Sequence, residues 1–428
     1  MKRLPSLLFF FVLFSCSDKK SPNPSKDIND NIEITGSSFE IKPDEAIKIS
    51  QEFWKSKTSD SSTSRRVRNG TKEVESIKEY KKEDKTIICY ILNYKEKGGY
   101  LILSSDKRMV PILAYSDEGY FDENTDNPGI QYWLNLVVDA AKETKKLKKV
   151  ANDVEWMWQK YDKQNAKNKR IAEIECPSLP NDINIEHLTD NLSIWGQGMS
   201  YNFHSPVRSN SNSCDCGKAA VGCGPVAMAQ VLRYHRKQIS INGTIFNTTS
   251  FDNMARNLPT NTCSITAQNH LTVSWLLRCV GTALSVDYNL ALDCQTVLLS
   301  PSNIVSQFNS LGYNSYQIDF YGNSWQVENE IMNFRPVILY GSNCNVCISN
   351  AHIWVVDGLR KSYWYEVVEY YDYNIGTWEE CVLRSTTEFQ MNWGWRGGGN
   401  NGFFTIYNFN GLGTIYNNSG MKAYIIHP

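Results

Sequence analysis

The chain has 428 residues, of which 41% are hydrophobic and 21% charged, so it can build packed cores and is not globally disordered. Its 44 Lys and Arg residues balance 45 Asp and Glu residues, and the formal net charge of -1 gives no concentrated basic face for nucleic-acid binding. The length predicts two to three domains, and no apolar run reaches the roughly 18 residues of a membrane span.

The N-terminus has the layout of an export signal. A positively charged start and a short apolar run at 7–14 precede Cys16, which predicts a signal peptide over residues 1–15. The sequence L-F-S-C that ends at this cysteine resembles a bacterial lipobox, in which the cysteine carries the lipid, although Phe14 is bulkier than usual. Residues 16–38 are polar and contain proline, as a membrane tether should. We expect a lipoprotein of a bacterial envelope, or a protein secreted after processing; an ordinary signal with an incidental cysteine is the alternative.

The first folded unit is predicted at residues 39–175 and has the pattern of a small α+β domain. Apolar positions at helical spacing predict a helix around residues 46–53, and the apolar period between 130 and 161 predicts one long helix or two. Strands are predicted at 86–94, 99–106 and 111–121. The unit has no Cys/His cluster, phosphate-binding glycine loop or carboxylate pair, so we expect no catalytic residue in it.

A polar, proline-containing connector at residues 176–193 precedes the second unit, at 194–428. In that unit, the segment 217–235 reads as a loop followed by a helix that has Pro225 in its first turn. Cys223 therefore lies at a helix N-terminus, where unpaired N–H groups and the helix dipole stabilise a thiolate. A small buried cysteine that merely opens a core helix is the alternative interpretation. The flanking Gly222 and Gly224 leave room for a substrate chain.

Two further segments of the second unit are dense in Gly, Trp, His and Asn. Residues 350–358 alternate as a strand that contains His352, next to a predicted strand at 336–341. Residues 389–407 read as a strand, a glycine loop and a second strand, and they contain Asn392 and Trp393. The chain order Cys, His, Asn is that of papain-type enzymes.

These segments resemble the streptopain family of bacterial cysteine peptidases. The family's nucleophile helix is similar to AAVGCGPVAMAQVLRYH at 219–235, and its histidine strand is similar to HIWVVDG at 352–358. Its asparagine loop is similar to NWGWRGG at 392–398, where Arg396 is a departure. The stretch that begins at Trp195 also resembles the start of the mature family members. The resemblance covers 194–428, and the first unit looks like the family's propeptide.

The resemblance implies the fold and the residue roles. It implies a papain-like α+β peptidase domain, with the nucleophile helix packed on a twisted antiparallel sheet, behind a smaller α+β prodomain. Cys223 would be the nucleophile and His352 its acid–base partner, with Gln197 as a side-chain donor of the oxyanion hole. Asn392 would orient the imidazole and Trp393 would shield that contact, although packing alone could also hold the ring. The other histidines, His187, His204, His235, His270 and His427, are interpreted as structural or surface residues.

The implied protein is an exported zymogen that cuts peptide bonds. Protein or peptide substrates and its own propeptide would be its partners, the membrane would be reached only through a lipid, and neither a cofactor nor a metal is expected. Cleavage is expected within or near the connector 176–193, by a second copy of the enzyme. A catalytically inactive binding or inhibitory lipoprotein is one alternative, and a thiol acyltransferase or amidase on the same scaffold is another.

Two features of the second unit depart from the expected pattern. The sequence has 12 cysteines, and in an exported chain the CxC at 214–216 and the CxxC at 344–347 favour disulfides over free thiols or half of a zinc site. Residues 360–386 lengthen the interval between His352 and Asn392, and their alternation around Gly376 predicts an extra hairpin at the rim of the cleft.

Overall fold

A computed structural model describes most of the two predicted units. The described residues are 39–59, 72–82, 84–161, 175–186, 188, 194–208, 214–288, 294, 296–342, 351–373, 375–396, 400–406, 408–411 and 420–428. The predicted signal peptide, the tether with Cys16, His187 and the CxxC at 344–347 lie outside these residues.

The first unit contains three helices and four strands among its described residues. They are α1 Pro43–Ser59, β1 Val74–Lys81, β2 Ile87–Tyr94, β3 Tyr100–Ser104, β4 Ile112–Ser116, α2 Pro128–Thr144 and α3 Asn152–Gln159. The predicted helix and the three predicted strands are confirmed, and the long apolar period resolves into two helices. Strand β1 was not predicted, because it is an edge strand with half-buried and exposed residues and little apolar alternation.

The second unit combines helices with long antiparallel strands. Its elements are α4 Cys223–His235, β6 Ile239–Ile241, β7 Thr244–Phe246, α5 Thr248–Asp252, α6 Gln268–Ala283, α7 Asn303–Ser310, β8 Asn314–Asp319, α8 Ser324–Met332, β9 Val337–Ser342, β10 Ala351–Asp372, β11 Gly376–Asn392, β12 Gly402–Phe404 and β13 Lys422–His427. The helix from Cys223 and the strands around His352 and Asn392 are confirmed. Together the two units confirm the α+β class.

One antiparallel sheet runs through both units. In the described chain its order is β1-β2-β3-β4-β12-β11-β10-β9-β13-β8. The two units join where β4 pairs with β12, through Tyr115 opposite Phe403 and Ala114 opposite Phe404. The Trp133 indole N–H of α2 adds a hydrogen bond to the Thr405 carbonyl at 2.8 Å. The first unit is therefore built into the sheet of the second.

The two faces of this sheet carry different cores. On one face, α2 and the side chains of Trp354 and Val356 belong to a core that includes the first unit. On the other face, α4 and α6 pack with Ile353 and Val355. Because successive strand residues point to opposite faces, β10 separates the helix that begins at Cys223 from the helix α2 of the first unit.

The connector is more ordered than its composition suggests. Residues Ile183–Ile185 form a short strand, β5, that pairs with Lys361, Arg360 and Leu359 of β10. Farther upstream, Cys176 forms a disulfide with Cys381 of β11. Part of the connector's backbone is therefore paired in the sheet, which its polar, proline-containing composition does not indicate.

The predicted hairpin at 360–386 is the outer part of the β10–β11 pair, whose register runs from Val355 opposite Asn392 to Asp372 opposite Gly376. Its base contacts the first unit, because Trp156 of α3 stacks on Trp364 with ring centroids 4.7 Å apart. The hairpin thus contacts the first unit, and its place at the rim of the cleft stays a prediction.

Two further disulfides explain the CxC motif. Cys214 bonds to Cys294 and Cys216 to Cys263, so neither sulfur of this motif is available to a metal. Within the described residues, Cys89, Cys223 and Cys279 are free thiols. No helix in the described part of the chain is long and apolar enough to cross a membrane.

Candidate active site

Cys223 lies where the sequence predicts it, at the first position of α4. The preceding Gly222 has φ of 97°, a left-handed conformation that favours glycine. The thiol is half-buried. Burial raises the pKa of the Cys223 thiol, and the backbone N–H groups of Ile353 and Gly224 only partly offset this increase. In this state the residue is a protonated thiol rather than a thiolate.

The two glycines beside Cys223 are packed against protein. A Cβ at Gly222 would lie 2.8 Å from the Thr296 hydroxyl, and one at Gly224 would lie 2.8 Å from Leu298 Cδ2. In this state protein atoms lie where a side chain at either position would be, and room for a substrate chain beside the two glycines stays a prediction for the active form. The segment around Thr296 occupies that space, and the positive φ accounts for glycine at position 222.

His352 is buried at the second position of β10, with 1% of its surface exposed. Its Nε2–H donates to the carbonyl oxygen of Trp393 at 2.9 Å, and the ring stacks on Trp354 with centroids 6.0 Å apart. Burial lowers the pKa of the imidazole to about 4, although the hydrogen bond to Trp393 opposes this decrease. At neutral pH the ring is uncharged.

Cys223 packs against β10, the strand that carries His352, but the side chains of the two residues do not meet. The thiol lies by the backbone of Ile353, whereas the imidazole packs with Trp354 and Trp393 towards the core of the first unit. In the described part of the chain, no hydrogen bond or ion pair joins the two side chains. A thiol and a neutral imidazole that do not touch cannot form the ion pair that activates a cysteine nucleophile.

The first turn of α2 holds His352 in this position. Asn127 caps the helix by accepting a hydrogen bond from the Gly129 N–H, and Pro128 occupies the first turn. A Cβ on Gly129 would lie 2.6 Å from His352 Cδ2 and 2.5 Å from Trp393 Cε3. Only glycine lets the helix approach the imidazole this closely, so the first unit covers the candidate catalytic histidine directly.

Gln197 lies in the segment just before the nucleophile loop. Its carbonyl accepts the Val221 N–H at 2.8 Å, which ties the segment to the residues that precede Cys223. Its Nε2 is buried and has no hydrogen-bond partner among the described residues. An unpartnered buried amide is energetically costly, and such a donor is ready to receive an oxyanion.

Asn392 ends β11, and Trp393 follows it next to the His352 ring. Asn392 Oδ1 accepts from Gln230 Nε2 and from the Gly394 N–H, both at 3.3 Å. The backbone of Trp393, rather than the side chain of Asn392, contacts Nε2 of the imidazole. The indole of Trp393 is buried beside the His352 ring, and its role in shielding an Asn392–His352 contact from water stays a prediction.

Several residues around the site could not be identified from the sequence. The helix start at Asn127–Gly129 is legible as a capping signal, but nothing in it indicates that its partner is His352. Likewise Gly341 lies opposite His352 in the sheet, and a Cβ there would lie 2.7 Å from Tyr132 of α2. Of the other histidines, His204 contacts Ser274 and His427 contacts Glu330, both away from the cysteine.

Known proteins share both units of the chain. Residues 195–404 match the model of the Peptidase C10 family, and residues 38–141 match the model of the Spi protease inhibitor. Streptopain from Streptococcus pyogenes is 27% identical over 368 residues, which is 78% of this chain and 78% of that protein. A fragment of prointerpain A from Prevotella intermedia has a TM-score of 0.51 and 18% identity, covering 82% of this chain and 97% of that one. These matches confirm the predicted papain-like fold class.

Substitution of Gly129 by alanine tests the contact that covers His352. In an exposed helix this change would stabilise the chain, because alanine is the better helix former. Here the methyl group would overlap the imidazole, and overpacking of about 1–3 kcal/mol should raise the population of released histidine roughly 5- to 150-fold. We expect faster alkylation of Cys223 by iodoacetamide in the unprocessed chain.

The matched control is Lys142→Ala, on the exposed side of the same helix. It should leave the alkylation rate of the unprocessed chain unchanged. An alkylation rate for Gly129→Ala at or below that of the wild type would contradict the assigned contact.

Proposed function

Since the chain belongs to the Peptidase C10 family and is a cysteine-type peptidase with an inhibitor-like propeptide unit, we propose that it is an exported endopeptidase made as a zymogen. Residues 39–175 act as the propeptide and keep His352 apart from Cys223. The observation that supports this most strongly is the close contact between Gly129 and the buried imidazole. The structure then corresponds to the latent form.

In the active form, Cys223 Sγ attacks the carbonyl carbon of the scissile peptide as a thiolate paired with the His352 imidazolium. The carbonyl electron pair moves onto oxygen, where Gln197 Nε2 and the Cys223 backbone N–H donate hydrogen bonds. Collapse of this intermediate breaks the C–N bond, and His352 transfers its proton to the leaving amine. The neutral imidazole then takes a proton from a water molecule whose oxygen attacks the thioester carbonyl carbon. The C–S bond breaks, the acid product leaves, and the thiolate–imidazolium pair is restored.

Activation requires His352 to leave the core of the first unit. In the latent form burial keeps the imidazole neutral and the thiol protonated, so the chain cannot make the ion pair while α2 remains in place. Once the first turn of α2 is withdrawn, His352 can turn towards Cys223. Asn392 then orients the ring, and Trp393 keeps water away from their contact.

Processing occurs within or near the connector, by another copy of the enzyme. The backbone of the connector is paired with β10 at Ile183–Ile185, and the Leu188 N–H donates a hydrogen bond to the Asp357 carbonyl at 2.6 Å. These hydrogen bonds protect the residues from a protease. A cut on either side of β5 needs less local unfolding. The position of the cut relative to Cys176 decides whether the two fragments separate.

A cut after Cys176 leaves the propeptide attached through the Cys176–Cys381 disulfide. A tethered domain has an effective concentration in the millimolar range, so α2 continues to cover His352. A dithiol reductant completes release: it breaks the S–S bond, leaves one thiol on each cysteine and is itself oxidised to a disulfide. The earlier expectation of release by cleavage alone is thereby refined into two steps.

The N-terminal segment indicates where the protein is located. We propose that residues 1–15 direct export and that Cys16 carries a lipid, so that the latent chain is anchored to a bacterial envelope through residues 16–38. Three disulfides in the described residues suit a compartment outside the cytosol. After cleavage and reduction, the propeptide stays with the lipid and the peptidase unit is secreted.

An inactive binding protein and a thiol acyltransferase or amidase are the alternatives. The presence of Gln197, Cys223, His352 and Asn392 together argues against an inactive protein, because a chain without chemistry would be free to lose at least one of them. Release of free peptides from casein, rather than transfer of an acyl group to an added amine, separates the peptidase from the transferase.

We predict that Cys223→Ala abolishes casein hydrolysis and leaves a folded, unprocessed chain. His352→Ala should be nearly as severe, because loss of one member of the pair removes most of the nucleophilic contribution. Cys279→Ala, which removes another free and buried thiol, is the matched control and should keep hydrolysis near the wild-type rate. Near wild-type hydrolysis by Cys223→Ala would contradict the assigned nucleophile.

The disulfide predicts a specific gel pattern after processing. Without reductant, the processed wild-type chain should migrate as one species, and with reductant as two. Cys381→Ser should give two fragments without reductant, whereas Cys263→Ser, which breaks a disulfide within the second unit, should not. Separation of the wild-type fragments without reductant would mean that the cut precedes Cys176.

A further inference from the structure

Arg396, the residue that departs from the family's asparagine loop, lies against the segment that carries Gln197. Its backbone has φ of 68°, an uncommon conformation for a residue with a side chain. Its N–H donates to the Trp195 carbonyl at 3.2 Å. Its guanidinium donates from Nη2 to Asp215 Oδ2 at 2.7 Å. The loop that follows Asn392 therefore reaches across to the Gln197 segment.

Asp215 completes a clamp around this segment. The carboxylate oxygen that contacts Arg396 also accepts the Met199 N–H at 3.0 Å. The segment is thus held before Gln197 by the backbone of Arg396 and after it by Asp215. Two hydrogen bonds hold the segment at Trp195 and Met199, and the ion pair joins the two residues that make these bonds.

The two glycines beside Gln197 show how closely the clamp packs. A Cβ at Gly196 would overlap Arg396 Cγ, and a Cβ at Gly198 would overlap the Asp215 carboxylate and the Arg396 guanidinium. Both glycines have ordinary backbone angles, since neither is among the positive-φ residues. Glycine is therefore favoured at 196 by the close approach of Arg396 and at 198 by the approach of the ion pair.

Two disulfides anchor Asp215, which is the end of the clamp opposite Arg396. Cys214 and Cys216, on either side of Asp215, form separate disulfides to Cys294 and Cys263. The Asp215 carbonyl also accepts from Asn202 Nδ2 at 2.9 Å. Asp215 is consequently a fixed point on the protein surface rather than a free carboxylate.

Arg396, at the other end of the clamp, follows a residue that contacts the His352 imidazole. Trp395, the neighbour of Arg396, lies edge-on to the His352 ring with centroids 6.0 Å apart. The same loop also carries Asn392 and Trp393. Arg396 therefore connects the histidine side of the site to the segment of the oxyanion donor.

We propose that Arg396 and Asp215 are positioning residues that fix the amide of Gln197 for the oxyanion. This rests on the proposed role of Gln197. The side chains of the pair are 34% and 43% exposed, so the ion pair adds little to stability. Its effect is geometric, because a donor displaced by about 1 Å loses much of its value in the transition state.

A double-mutant cycle on the processed and reduced enzyme tests the proposal with a small peptide amide. Arg396→Ala should lower kcat about tenfold with little change in KM, as expected for a partly displaced oxyanion donor. In a Gln197→Ala background the same change should lower kcat less than twofold, because the amide it positions is gone. Arg396→Lys should restore part of the loss.

Alkylation of Cys223 by iodoacetamide separates positioning from structural damage. The reaction displaces iodide at carbon and forms no oxyanion, so Arg396→Ala should alkylate at the wild-type rate while kcat falls. Arg384→Ala, which removes a comparably exposed arginine paired with Glu366 on the hairpin, is the control and should change neither rate.

The outcomes distinguish this proposal from the proposed function. If Arg396→Ala lowers kcat about tenfold in the Gln197→Ala background as well, the positioning role is overturned. A parallel fall in the alkylation rate would overturn it too, and both results would leave the peptidase mechanism intact. An unchanged kcat for Gln197→Ala alone would remove the oxyanion role of Gln197 and the positioning role with it.

Discussion

The latent arrangement depends on one close contact, between the first turn of α2 and the imidazole of His352. The absence of a side chain at Gly129 lets the helix approach within van der Waals distance of the ring and of Trp393. The contact buries the imidazole, and burial keeps it neutral by lowering its pKa to about 4. The geometry and the electrostatics of latency therefore have the same cause.

The sheet makes this contact possible. Strand β10 carries the core of α4 on one face and the core of α2 on the other, and the pairing of β4 with β12 fixes the first unit on the second face. Because side chains alternate along the strand, His352 faces the core of α2 together with Trp354 and Val356, whereas Ile353 and Val355 face α4. In the proposed zymogen, holding the imidazole on the side away from the thiol is sufficient for inhibition. The strand β5, the Trp156–Trp364 stack and the Cys176–Cys381 disulfide hold the two units together around this contact.

Much of this structure was legible in the sequence, because local signals determine the elements that carry the motifs. Pro225 after a glycine-flanked cysteine predicted α4, and alternation around His352 predicted β10. Neither β5 nor the disulfide partners could be predicted, because they depend on pairings between residues far apart in the chain. The side of β10 on which His352 packs was equally inaccessible. Family motifs name the residues of the active form, whereas the latent form is set by a glycine in another unit.

The ionisation of His352 in the unprocessed chain tests the account most directly. Histidine-labelled Cys223→Ala protein, which cannot process itself, can be titrated by NMR, with His352→Gln assigning the signal. The account predicts a neutral ring protonated on Nε2 that titrates near pH 4. It also predicts a higher pKa for His352 once added wild-type enzyme has cut the connector and a reductant has opened the disulfide. An ordinary pKa of about 6.5 in the uncut chain, unchanged by cleavage and reduction, would contradict the account.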